Sequence, residues 1–364
     1  MKKEIIILLF ICPIVCFYTF SHHMRSPKKK LHTQITLEDS FERLEGSEME
    51  EWSYIQTSRD FQDLARYKML YKKNYNHQFN CNAIFKIPRT IHFIWIGPQP
   101  FPSESVENIR SWIAHHPDWT FKFWTDRYHP SPCNKMQIQL LDEFSFQFLK
   151  DKFEESNSWK EKSNLWRYEI LYQEGGLYVD HDTCCTRPFH SLHTGYDFYA
   201  ALELPHEAID SLALSAGIGV IGVKPYHPVL YETIAEVLSK WDEASNRFTT
   251  SAPRIQHRTF ISMTHALQRG LNHPDNIDII FPASYFYPKK ALPGFYSKHL
   301  YATYYHDDLN TKSPREQLIY QEMNHIHNRD EKIIRLELIN LCFVIGSFFL
   351  YYLTNKEIKS KTTS

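Results

Sequence analysis

The chain has 364 residues and carries 41 Lys+Arg against 42 Asp+Glu, a formal net charge of -1. That balance argues against a nucleic-acid partner, whose phosphates call for a basic excess. Its 43% hydrophobic and 15% aromatic residues exclude global disorder. Seven cysteines without a C-x-x-C pair support neither a disulfide framework nor a zinc ribbon.

Residues 5–20 are apolar and follow Lys2 and Lys3, with no small-residue cleavage site behind them. Residues 1–24 therefore read as a membrane anchor or signal-like segment, with an uncleaved anchor preferred. Residues 25–86 read as a polar stem ending in an amphipathic helix over 60–75, where Phe61, Leu64, Ala65, Met69 and Leu70 recur at helical spacing. From Pro88 the pattern changes to strands alternating with helices. A buried strand over 90–96 ends at Gly97-Pro98, a helix covers 105–115 and a second strand 120–124. Helices follow over 135–150 and 159–174, the latter stopped by Gly175-Gly176. Strands are expected over 177–180, 197–203, 218–223, 277–281 and 299–305, and helices over 227–243 and 254–269. This alternation indicates an α/β domain with a mainly parallel sheet over 87–310. Residues 311–364 contain a second apolar run, 336–353, for which a docked C-terminal helix and a membrane segment are equally open. Basic residues flank both apolar runs on each side, so the expectation is membrane attachment by one or two passes, sidedness undetermined.

The segment from Lys162 to Thr183 carries the chemistry. Asp180 and Asp182 stand at i and i+2 where an apolar strand ends, so both carboxylates point one way and His181 the other. Two oxygen donors at the carboxyl end of a strand suit Mg²⁺ or Mn²⁺, which can bridge and neutralise a diphosphate leaving group. Asp-X-Asp alone is common and, taken in isolation, reads more readily as a solvated turn. On the preceding helix Asn164 and Arg167 share a face, with Lys160 one turn earlier. Arg167 there suits a phosphate or sugar hydroxyl, and a salt bridge to the aspartates is also open. No G-x-G-x-x-G, G-x-x-x-x-G-K-[ST] or G-x-S-x-G occurs, which removes the common dinucleotide, NTPase and hydrolase readings.

This segment resembles the Asp-X-Asp region of glycosyltransferase family 32, the capsular-polysaccharide and yeast initiating-mannosyltransferase type. It is similar also to the catalytic domains of clostridial glucosylating toxins. Ile87 to Gly97, Asn108 to Trp112, His116 to Asp118 and Phe123 to Asp126 resemble the family's opening strand, next helix and second strand, in order. The likeness covers about residues 87–228 well and is looser up to 310. It implies a GT-A fold and a retaining, metal-dependent transfer from a UDP- or GDP-sugar. Asp182 and Asp180 would take the metal, Asp180 also the ribose, Arg167 the donor sugar or diphosphate, and Trp95 the base. Asn164 stands where the family usually has Asp, and can still bond a sugar hydroxyl. In Tyr304 to Asp308, which replaces the family's closing His and Trp, His306 is the candidate metal or diphosphate contact. The implied acceptor is a glycan or glycolipid near the membrane. Alternatives are a toxin-like transferase acting on a protein, and a catalytically inactive sugar-nucleotide-binding module.

Other residues carry weaker signals. Trp95 reads equally as an ordinary core aromatic, and His92 as core. Glu203 either lines the site or caps a strand. Cys184-Cys185 read as small buried residues, and His325 and His327 as surface.

Overall fold

The computed structural model describes residues 41–79, 84–207, 212–271, 273–289, 292 and 294–301. They belong to one compact unit, Leu37–Thr311. Both apolar ends, with His306, His325 and His327, lie outside the described residues, so the anchor, the second membrane segment and the His306 contact are not addressed by it. Among the described residues no helix is long and apolar enough to cross a membrane.

A seven-stranded sheet forms the centre, in the order β3-β2-β1-β4-β7-β6-β8. The strands are β1 Thr90–Ile94, β2 Thr120–Thr125, β3 Met136–Leu140, β4 Gly176–Val179, β6 Phe198–Ala201, β7 Val220–Val223 and β8 Asp278–Phe281. Neighbours run parallel except β7, which is antiparallel to both β4 and β6. Strands β4, β6, β7 and β8 are buried at every residue, as expected where both faces of a sheet are covered. A two-stranded ladder, β5 Thr183–Cys185 with β9 Ser297–His299, lies apart from the main sheet and follows the aspartate pair directly.

The longer helices are α1 Ser58–Asn74, α2 Ser105–His115, α3 Trp159–Glu174, α4 Pro228–Arg247 and α5 Ile261–Gly270. Helix α1 opens with a reciprocal cap: the Thr57 hydroxyl accepts from the Asp60 amide, and Asp60 Oδ2 accepts from the Thr57 amide. It packs against β8 and buries Tyr67, Leu70 and Tyr71, so the helix read as the end of a stem lies on the sheet. Helix α3 is capped by the Ser158 hydroxyl and buries Trp166 completely against Trp124, Phe144 and Phe153.

Gly175 and Gly176 turn α3 into β4 with φ of 64° and 97°, where L side chains are strained. A Cβ on Gly175 would also fall 2.6 Å from Pro225 Cδ, and one on Gly176 2.8 Å from Thr90 O.

The helix expected over 135–150 is instead strand β3, the 3-10 turn Leu141–Glu143 and a short helix, Lys150–Glu155. Met136-Gln-Ile-Gln-Leu140 alternates with period two and pairs with β2 as an edge strand, with Met136 buried and Gln137, Ile138 and Leu140 exposed. The helix expected over 254–269 is also broken. A π-helical turn, Gln256–Phe260, separates Ser251–Ile255 from α5.

Candidate functional site

Strands β4 and β6 point the same way, so Asp180 and Glu203, each just past its strand, sit on one edge of the sheet with the start of β7 between them. The Asp180 amide donates to Gly219 O at 2.8 Å. A Cβ on Gly219 would lie 2.6 Å from Asp180 Oδ2 and 3.1 Å from the His299 ring. Glycine there leaves room for the carboxylate.

Asp180 is surrounded by groups that favour its charged form. Tyr178 donates its hydroxyl to Oδ1 at 2.7 Å, and Arg167 Nη2 lies 3.2 Å from the same oxygen. Burial opposes ionisation, but Arg167, His299 and Tyr178 together hold the carboxyl well below the usual range. Arg167 is itself fixed: Nη1 donates to Ile218 O at 2.7 Å, and the guanidinium lies 4.1 Å from the Tyr178 ring centroid. The salt bridge left open by the sequence is therefore formed.

His299 completes the cluster. Its Nε2 is 3.4 Å from Asp180 Oδ2 and 3.4 Å from Asp182 Oδ1. The β5–β9 ladder places it there by pairing Thr183 with His299, and the Leu300 amide donates to Asp182 O at 2.9 Å. One ligand atom from each of Asp180, Asp182 and His299 lies within 4.8 Å of the others. Burial would lower the His299 pKa, but the Asp182 and Asp180 carboxylates outweigh it and raise the imidazole to about 9. Its Nδ1 accepts from the Tyr301 amide at 3.0 Å, and Tyr301 holds a left-handed φ of 54°. The carboxylates thus favour a proton on Nε2, while the Tyr301 amide opposes a second proton on Nδ1.

The other side of the pair is apolar. His181 turns away from the carboxylates and packs edge-on to Trp95 and Phe101, with centroids 5.0 and 5.8 Å apart. Burial lowers its pKa. Trp95 is 1% exposed and donates from Nε1 to Gln99 O at 2.8 Å, so in this conformation the indole is surrounded by protein. Asn164 is also buried, and its Nδ2 donates to Thr259 Oγ1 on the π-helical turn at 3.0 Å. It shares the Arg167 face of α3 but is not part of the Asp180, Asp182 and His299 cluster. Burial raises the Glu203 carboxyl, with His299, His206 and Asp180 among its charged neighbours. Cys185 is buried, Cys184 half-buried, and both are free thiols.

The structure thus brings together Asp180, Asp182 and Arg167 from the sequence-derived set and adds His299. The sequence signal for His299 was faint: one of 20 histidines, at the start of an expected strand.

Residues 102–199 match the family described as "Glycosyltransferase sugar-binding region containing DXD motif". A protein of Acanthamoeba polyphaga mimivirus described as an uncharacterized glycosyltransferase is 26% identical over 205 residues, 56% of this chain and 73% of that one. Inositol phosphoceramide mannosyltransferase 1 of Schizosaccharomyces pombe is 29% identical over 174 residues, 47% of each chain. The chain therefore spans about half the length of the S. pombe relative. Among solved structures, PaToxG glycosyltransferase aligns with a TM-score of 0.42 and 16% identity over 57% of this chain and 78% of that one.

Proposed function

With residues 102–199 as the DXD-containing sugar-binding region of a glycosyltransferase, we propose that this enzyme transfers a sugar from a UDP- or GDP-sugar with retention of configuration. The observation that carries the reading is the convergence of Asp180, Asp182 and His299 within 4.8 Å. A sheet order of 3-2-1-4-7-6-8 with one antiparallel strand supports a GT-A fold, with ligands beyond the carboxyl ends of the strands.

The donor set fits a divalent cation. Two carboxylates suit Mg²⁺ or Mn²⁺, and the imidazole favours Mn²⁺. Ligation through His299 Nε2 would require the ring proton to move to Nδ1, and so the Tyr301 amide to turn away from it. A cation at this site would neutralise the charge that develops on the departing diphosphate. The protein's own residues prepare for that charge. Arg167, pinned by Ile218 O and stacked on Tyr178, holds Asp180 ionised and presents a guanidinium beside the metal cluster. Asp182 is 4% exposed, so a cation held by it would be partly shielded from water, which strengthens its field. No side-chain nucleophile or general base is assigned; the departing phosphate would accept the acceptor's proton on the same face.

A glycan or glycolipid acceptor is the reading that fits a membrane-attached enzyme, with residues 5–20 as the anchor. A relative that mannosylates inositol phosphoceramide supports a lipid-linked acceptor. The test is release of UDP or GDP from a panel of nucleotide sugars by the purified full chain with Mn²⁺. Mn²⁺-dependent release that is lost in Asp182→Ala is expected. Absence of release from every donor, with Asp182→Ala indistinguishable from wild type, would overturn the enzyme reading.

A further inference from the structure

The aspartate pair sits in a loop, and the backbone groups of a buried loop need partners. On one side the β5–β9 ladder supplies them. On the other, the partners are side chains of α2, all from one face. Asn108 Nδ2 donates to His181 O at 3.2 Å, Trp112 Nε1 donates to Thr183 O at 2.7 Å, and the Cys185 amide donates to Ser111 Oγ at 2.8 Å. Ser105 Oγ pairs with His181 Nδ1 at 2.8 Å. Positions 105, 108, 111 and 112 recur at helical spacing, and every one of these bonds falls on residues 181–185. Glu107 and Arg110 pair with each other at the helix surface instead.

The geometry points to α2 as the template of the metal loop, with Asn108 and Ser105 as positioning residues for the cation. This rests on the metal reading of Asp180, Asp182 and His299. Asn108 holds the carbonyl of the peptide that joins His181 to Asp182, so it fixes the direction in which the Asp182 side chain leaves the backbone. Ser105 holds the His181 ring against Trp95 and Phe101, so the residue between the two ligands cannot rotate. Neither side chain belongs to the metal cluster. They act as outer partners that orient ligands, whose loss elsewhere costs about 10–100-fold in metal affinity.

The test is titration of the full chain with Mn²⁺ at saturating UDP, and in parallel GDP, following free Mn²⁺ by electron paramagnetic resonance. Asn108→Ala is expected to weaken Mn²⁺ binding at least tenfold and to shrink the Mn²⁺-dependent rise in Tm, while Arg110→Ala leaves both as in wild type. Ser105→Ala is the second variant should Asn108→Ala fail to fold, with the same expectation. Wild-type Mn²⁺ affinity in a folded Asn108→Ala or Ser105→Ala protein, with Tm lowered equally with and without metal, would overturn the inference and leave the metal reading intact. A wild-type protein that binds no Mn²⁺ with either nucleotide would overturn both.

Discussion

Acidification should weaken the turn that feeds β4, and His92 makes the effect measurable. His92 on β1 is fully buried. The Trp124 indole N–H donates to its Nδ1 at 3.0 Å, and its Nε2 donates to Gly175 O at 2.9 Å. An indole N–H can only donate, so the ring is the neutral Nε2–H tautomer, and a second proton would fall where Trp124 already points. Burial accordingly lowers its pKa to about 4, against about 6.5 in an unfolded chain. Between those values the unfolded chain takes up a proton that the folded one refuses, so stability is lost as the pH falls through that window. At pH 5 the loss is about 2 kcal/mol. Other groups titrate as well, and Glu45, whose pKa burial raises, acts in the opposite direction. Comparison with His92→Gln cancels those contributions. Denaturant unfolding of wild type and His92→Gln at pH 7, 6 and 5 should show the wild-type advantage shrinking by about 2 kcal/mol across the range. An advantage that stays constant with pH would refute the reasoning.

Two further substitutions test the packing around the carboxylates. Gly219→Ala would set a methyl 2.6 Å from Asp180 Oδ2 and push the carboxylate by roughly 1 Å, beyond the about 0.2 Å that metal geometry tolerates. Nucleotide-dependent Mn²⁺ affinity should fall at least tenfold with the far-UV circular dichroism spectrum unchanged; unchanged affinity would contradict the close approach. Arg167→Lys cannot bond Ile218 O, pair with Asp180 and stack on Tyr178 at once. It should cost about 2 kcal/mol in denaturant unfolding at pH 7, and a variant as stable as wild type would show that the buried guanidinium contributes little.

Local patterns carried much of the fold. Helix α2 begins and ends where its apolar spacing and Pro117 place it, and α3 stops at the glycine pair because no other residue suits φ of 64° and 97° next to Pro225 and Thr90. Strand β3 was hidden because Met136, Ile138 and Leu140 satisfy a helical and an extended pattern about equally over so short a run. Pairing to β2 decided the matter, and pairing is a tertiary fact.

The site divides in the same way. Asp180, Asp182 and Arg167 lie within sixteen residues on a helix-turn-strand unit, so their convergence followed from spacing. His299 reaches Asp180 across 119 residues through the β5–β9 ladder, and no periodicity in the chain announces that pairing. Asn164 stands in the expected helix and Trp95 just past the end of β1, but their side chains meet Thr259 and His181. The helical spacing of Ser105, Asn108 and Ser111 was in the sequence all along; its meaning depended on which loop faced α2.

The central claim is that Asp180, Asp182 and His299 hold a cation against a nucleoside diphosphate. Calorimetric titration of the full chain with UDP and GDP, with and without Mn²⁺, tests it most directly. The account predicts that one of the two nucleotides binds at least tenfold more tightly with Mn²⁺, and that His299→Ala and Asp182→Ala each abolish the gain. Equal affinity with and without Mn²⁺ for both nucleotides, or a gain that survives both substitutions, would contradict it.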